Sequence, residues 1–437
     1  MKKRSLLRMA FIVGTWMTGY PLFAWDEPTQ VDGVYQIGTA SELEWFAEYI
    51  NSASAVDASM LTAKAVLTAN IDMTGVSHTP IGASTTYKFS GEFDGQHHVI
   101  SNMIINLPNQ ENVGFFGLVR GNAIIKNLII DSSCSVTGKN RVAGLIGCVQ
   151  TKSNTLTILN CVNMATVHAT TGVASGIIGA GQSKYPVFKI HNCVNTGDIT
   201  TDAENNYTVA FDGWNKYDES GTAVNSQVWC CYNKGTLNKL DGGNNIFRGS
   251  HRSVLNTYDL VYTASNMQSQ TNIPSGGFKT VDPLHSGELC YYLNHGIEMM
   301  NRKEVSLGDE FTQDLSDPNS IPMPNASGMK VYQVADLNCD GTPKGSVVYS
   351  NTEGGSRDPH QFDPATGYCT VCGALNEEYV VKSEDGFYPL STPAQVEWFS
   401  QMVRLGHHGG MDVKLDADID FGGVPNAHLP IGTSGHT

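Results

Sequence analysis

Along the middle of the chain, apolar residues come in short β-branched runs separated by Gly, Asn, Ser and Thr, a pattern of short strands and tight turns. The runs repeat. Val113-Gly114-Phe115-Phe116-Gly117-Leu118 is echoed by Val142-Ala143-Gly144-Leu145-Ile146-Gly147 and by Ala174-Ser175-Gly176-Ile177-Ile178-Gly179. Each copy is followed by a second run: 124–130, Leu156-Thr157-Ile158-Leu159-Asn160-Cys161-Val162-Asn163, Phe188-Lys189-Ile190-His191-Asn192-Cys193-Val194-Asn195, and Val228-Trp229-Cys230-Cys231-Tyr232-Asn233. A period near thirty residues with β-branched strands is that of a coil adding one rung per repeat, so the chain is predicted to be all-β, a solenoid of stacked coils. Stacking the rungs places Gly114, Gly144 and Gly176 in one column. Cys161, Cys193 and Cys231 fall in a second, with Leu128, as small buried hydrophobes rather than metal or disulfide partners. Asn163, Asn195 and Asn233 form a third, an amide ladder at a turn.

A longer repeat joins the two ends. Gly33-Val34-Tyr35-Gln36-Ile37 pairs with Gly386-Phe387-Tyr388-Pro389-Leu390, Glu44-Trp45-Phe46 with Glu397-Trp398-Phe399, and Pro80-Ile81-Gly82 with Pro430-Ile431-Gly432. Each copy predicts a helix opened by a capping box, Thr39 with Glu42 and Thr392 with Gln395, and Pro393 occupies a first-turn position where its missing N–H costs nothing. Leu43, Phe46, Ala47 and Ile50 form an apolar stripe in the first, as Val396, Phe399 and Val403 do in the second; such a helix covers the open end of a solenoid. The second copy reaches Thr437 before any counterpart of the coils, and is read as a module cut short.

Composition narrows the class. Charged residues make up 16% against 41% hydrophobic, which excludes a disordered chain, and the net charge of -15 sets nucleic acid and anionic lipid aside as partners. Lys2, Lys3, Arg4 and Arg8 precede an apolar stretch from Met9 to Phe23 with Ala24 as cleavage point, an export signal too short and interrupted to span a membrane. The protein is therefore expected to be secreted or held at a cell surface. The reading divides the chain into a signal peptide (1–24), an N-terminal cap (25–62), the parallel β-helix (63–262), a post-helix segment and linker (263–335), a Cys/His knot (336–378) and the start of a second module (379–437).

The Gly-Leu-Ile-Gly and Asn-Cys-Val-Asn segments resemble the GLUG-type repeats of secreted bacterial β-helix proteins, and Phe89-Ser90-Gly91-Glu92-Phe93-Asp94-Gly95-Gln96-His97-His98-Val99-Ile100 resembles the segment that leads into that family's coils. The resemblance covers roughly residues 33–300. It implies a right-handed parallel β-helix, often on the surface of Gram-negative bacteria. The scaffold hosts lyases, adhesins and non-catalytic regions of proteases, so function has to be argued from sites.

Two candidate sites follow. Cys339, His360, Cys369 and Cys372 supply three thiols and an imidazole, with Cys369-Thr370-Val371-Cys372 as a turn that can place two thiolates on one ion; the alternatives are a Cys369–Cys372 disulfide or free thiols. A zinc ion held by all four would be structural, since no coordination position is left for water. Asp336-x-Asn338-x-Asp340-Gly341 imitates the start of a calcium loop, but Val347 stands where the bidentate acid belongs, leaving an Asn/Asp turn. On the solenoid, Trp214, Tyr217 and Trp229 are the aromatics that can stack on sugars, against the plainer reading that they pack the last rung. A polysaccharide lyase or hydrolase needs converging carboxylates, and Asp94, Glu111, Asp131 and Asp198 are far apart in sequence. A non-catalytic, adhesin-like protein binding glycan or a host or cell-surface protein is the expectation, with an enzyme on the same scaffold and a rigid stalk as rivals.

Overall fold

The structure is a computed structural model, and it describes residues 25–53, 58–150, 155–181, 187–204, 206, 208–215, 227–239, 257–263, 280–299, 310–325, 327–405, 411–423 and 431. The stretch read as an export signal, 1–24, lies outside these. The chain divides into two compact units, Met1–Lys330 and Val331–Thr437, a boundary five residues before the expected start of the knot.

The first unit is a parallel β-solenoid. Among the described residues its strands stack into three sheets, one long and bent, the others shorter. In the long sheet Lys64–Leu67, Glu92–Asp94, Ile124–Lys126, Thr155–Leu159, Val187–His191 and Gln227–Asn233 follow one another in parallel. The bend has a cause. Asn127, Asn160 and Asn192 sit at positive φ (+54°, +54° and +51°) between one strand and the next, Cys230 does so (+51°) within Gln227–Asn233, and Asn tolerates that region better than most side chains.

The expected columns are present. Cys161 and Cys193 are fully buried beside Leu128, and Cys193 N–H points at Cys231 Sγ at 3.3 Å. All three cysteines are free, and burial pushes the Cys161 and Cys193 thiols well up. Asn163 Nδ2 donates to Asn195 Oδ1 (2.8 Å) and Asn195 Nδ2 to Asn233 Oδ1 (2.7 Å), while each amide also donates to the carbonyl two residues on: Ala165, Gly197 and Gly235. These groups are 0% exposed, so the chain of bonds offsets most of what burying amides would otherwise cost. The glycine column exists because the ladder crosses to it. A Cβ at Gly144 would lie 2.0 Å from Asn163 Oδ1, and one at Gly176 would lie 2.4 Å from Asn195 Oδ1.

One end of the solenoid is closed by α1 (Ala40–Asn51), whose Leu43, Phe46, Ala47 and Ile50 are 0% exposed. Phe46 meets Phe89 and Phe93, which pack on Phe115 and Phe116. The expected capping box is only half made here. Thr39 Oγ1 accepts from Glu42 N–H, but the Glu42 carboxylate accepts from Gly38 N–H, one residue earlier. Toward the other end lie α2 (Glu288–Met299) and the antiparallel pair Phe311–Thr312 with Met323–Pro324. Part of the stretch read as linker is thus packed structure. Phe311 is 1% exposed, 6.3 Å from the Tyr232 ring, and Tyr232 OH donates to Pro322 O at 2.5 Å.

The second unit repeats the cap. Tyr388–Leu390 pairs in parallel with Val413–Leu415, as Val34–Ile37 pairs with Lys64–Leu67, and α3 (Pro393–Arg404) follows the first strand. Its capping box is complete: Gln395 N–H donates to Thr392 Oγ1, and Gln395 Oε1 accepts from Thr392 N–H. Val380, Leu390, Val396, Trp398, Phe399 and Met402 form its core.

Candidate metal centre

The Cys/His knot is built from turns. Asn338–Gly341 is a tight turn with Gly341 at φ +85°, closed by Gly341 N–H to Asn338 O. The Asp/Asn run serves that geometry rather than calcium: Asp336 Oδ1 accepts from Ser356 N–H and Oγ, and Asp340 Oδ1 from Thr342 N–H. The turn sets Cys339 inward, and the Arg357 guanidinium donates to Cys339 O at 3.1 and 2.6 Å. Arg357 lies three residues before His360, so this bond brings the imidazole to the first thiol.

The other two thiols come from the turn 369–373. Gly373 N–H donates to Cys369 O, Cys369 N–H to Ala374 O, and Gly373 holds φ +74°. Cys339 Sγ lies 3.8 Å from Cys369 Sγ, Cys372 Sγ lies 3.3 Å from His360 Nδ1, and the four donor atoms all fall within 4.8 Å of one another. The group can hold a metal ion such as zinc. The thiols are not equivalent. Burial opposes the Cys369 thiolate, yet the N–H groups of Cys372 and Val371, with His360 and Gln361, bring it down to about 5. Burial first, and then its cysteine neighbours, push Cys339 up to about 12. One negative charge is favoured here and a second resisted, because thiolates crowded this closely repel one another.

The aromatic candidates fare differently. Trp229 is 5% exposed, stacked parallel on His191 at 4.9 Å, so it offers little ring to a sugar. Trp214 lies on Asp212–Asn215, in register with Ala180 of the third sheet; its side chain, and all of Tyr217, lie outside the described residues.

One buried polar pair escaped the sequence reading. Glu44 (1% exposed) accepts from Thr79 N–H and faces His78 Nδ1 at 2.6 Å, while His78 Nε2 meets Phe115 O at 3.0 Å. The pair ties α1 to the first coils. A signal was available: Glu44 recurs as Glu397, and His78, two residues before Pro80, recurs as His428 before Pro430.

No protein-family model matches the chain. Over 136 residues it is 26% identical to halomucin of Haloquadratum walsbyi, a match that takes in 29% of this chain and 2% of the length of that protein. The crystal structure of a candidate immunoglobulin A1 protease from Bacteroides ovatus is similar at 19% identity, over 57% of this chain and 80% of that one, with a TM-score of 0.39. What stands on this chain's own coordinates is a parallel β-solenoid followed by a Cys₃His cluster and a second helix-capped unit.

Proposed function

We propose that this chain is an exported, surface-exposed β-helix protein of the GLUG-repeat kind that acts by binding a glycan or a protein surface rather than by catalysis. The observation that carries the reading is the outer face of the second sheet. Ser135 and Thr166 stand in one column, continued by Asp198, and Thr137, His168 and Thr200 in the next, on parallel strands about 4.8 Å apart. Thr166 and Asp198 are exposed and the others half-buried, which makes a flat, regular, hydrogen-bonding surface. The solenoid acids whose convergence a lyase or hydrolase would need each have a local partner instead. Asp94 pairs with Lys126 and Asn127, Glu111 with Arg141, Asp131 with Ser133 and Asp198 with Thr236. The amide ladder also gives the solenoid the stiffness of a stalk, and a spacer role is the second reading.

The test is a glycan and surface-protein binding screen with the full chain, repeated with Thr166→Arg/Thr200→Arg and with Trp214→Ala. Loss of a detected ligand in the double arginine variant, with unchanged thermal unfolding, supports the polar face. Loss in Trp214→Ala alone moves the site to the third sheet. Release of reducing ends or unsaturated products from pectin-like polymers would overturn the non-catalytic reading.

A further inference from the structure

We infer that Cys339, His360, Cys369 and Cys372 bind one Zn²⁺, and that this ion is the core of residues 336–378 and fastens them to α3. Tetrahedral zinc with Zn–S of about 2.3 Å and Zn–N of about 2.0–2.1 Å requires edges of roughly 3.8 Å between sulfurs and roughly 3.5 Å from sulfur to nitrogen. The Cys339–Cys369 edge is 3.8 Å and the Cys372–His360 edge 3.3 Å. A disulfide would need its two sulfurs near 2.05 Å, and all three cysteines are free.

Burial points the same way. From 336 to 378 the buried residues are Cys339, Gly367 and Cys369; every other position is half-buried or exposed. A stretch of this length with no apolar core does not hold a fixed fold by hydrophobic burial, and chains of this size use a metal or disulfides instead. Here the ligands occupy the place of a core. The set is three thiolates and an imidazole, soft donors that suit Zn²⁺ and are poor for Ca²⁺ or Mg²⁺.

The path onward is short. Tyr368 bridges to Leu375, and Asn376 N–H donates to Gly367 O. Tyr379 lies over Gly367, where a Cβ would meet its ring at 2.5 Å, and its OH donates to Ala365 O. Asn376 O then accepts from Trp398 Nε1 at 2.7 Å, and Trp398 is 0% exposed in the core behind α3. The turn that carries two ligands is thus the one that seats the helix.

The experiment uses the full chain with its native metal. Elemental analysis is expected to find one zinc per chain, and exchange with Co²⁺ to give the visible bands of a tetrahedral thiolate site. Cys372→Ser should weaken metal binding by more than the roughly 10- to 100-fold that a lost outer partner costs. His360→Cys, which supplies four sulfurs, should keep a tetrahedral cobalt spectrum, so loss of binding in Cys372→Ser cannot be put down to misfolding alone. Chelation should expose residues 336–405 to protease and red-shift Trp398 emission, identified against Trp398→Phe, while the solenoid stays resistant. A Cys369–Cys372 disulfide in the native protein, an octahedral cobalt spectrum, or metal removal that leaves residues 336–405 protected would each overturn the inference.

Discussion

The solenoid and the knot use the same residue types in opposite ways. In the solenoid Cys161, Cys193 and Cys231 are stacked into a column, one to a rung, each buried and free, and burial pushes the Cys161 and Cys193 thiols well up. In the knot three cysteines from two turns converge on a point, and one is poised as thiolate. Histidine divides likewise. His191 lies flat on Trp229, its imidazole lowered to about 4 by burial, with Gln227 opposing and Lys189 adding. His360 turns Nδ1 to a thiol. Repetition spreads like groups along a line, where packing decides their chemistry; closing turns gather them, where charge decides it.

Four perturbations test that contrast. The largest effect is expected from Gly144→Ala, whose Cβ would meet both Asn163 Oδ1 and, at 2.8 Å, Gly176 O. Denaturant unfolding should show a loss of about 3–5 kcal/mol, whereas Gly345→Ala in the knot, with nothing within 4 Å, should be near neutral. Asn195→Ala, next in size, strands a donor above and an acceptor below, and about 2–4 kcal/mol should be missing from the same transition.

Acid should act on the solenoid through His191. Its proton affinity drops on folding, so between pH 6.5 and about 4 the unfolded chain holds more protons, and stability falls as pH falls through that window. Calorimetry should show a lowered unfolding temperature, with a stability loss of about 3 kcal/mol across the window, and His191→Gln should flatten the dependence. A steeper acid transition in the variant would remove His191 as the cause. The smallest effect belongs to Thr392→Ala in the second unit. Losing the complete capping box should cost about 1 kcal/mol, read as easier protease access to α3 with the solenoid unchanged.

The columns were legible in the sequence because a coil permits one register: once Cys161, Cys193 and Cys231 align, Asn163, Asn195 and Asn233 must follow two residues later. The two cap helices were legible from their apolar stripes. Other features depended on geometry that spacing does not encode. The Glu42 carboxylate reaches Gly38 rather than Thr39 N–H, a difference of one residue in where the chain turns. Whether Trp229 is bare or covered depends on its neighbour in the preceding coil, His191. Cys369 and Cys372 announce themselves by spacing. Cys339 and His360 join them through the Arg357 bond to Cys339 O, which sequence distance hides. Glu44 and His78 were readable only by comparing one copy of the cap with the other.

The amide ladder has a direction. Asn163 and Asn195 each donate toward the later coil, so the bonded dipoles add head to tail, and Asn163 Oδ1 at the head lies where the preceding rung offers Ile130 and meets no donor among the described residues. A column built this way can be lengthened at that end by one more Asn at position 130, whereas an Asp at 195 would still accept from Asn163 but could donate neither to Asn233 nor to Gly197 O. The ladder therefore fixes register as well as sense: a rung slipped by one residue would present Val194 or Thr196 where an amide is required.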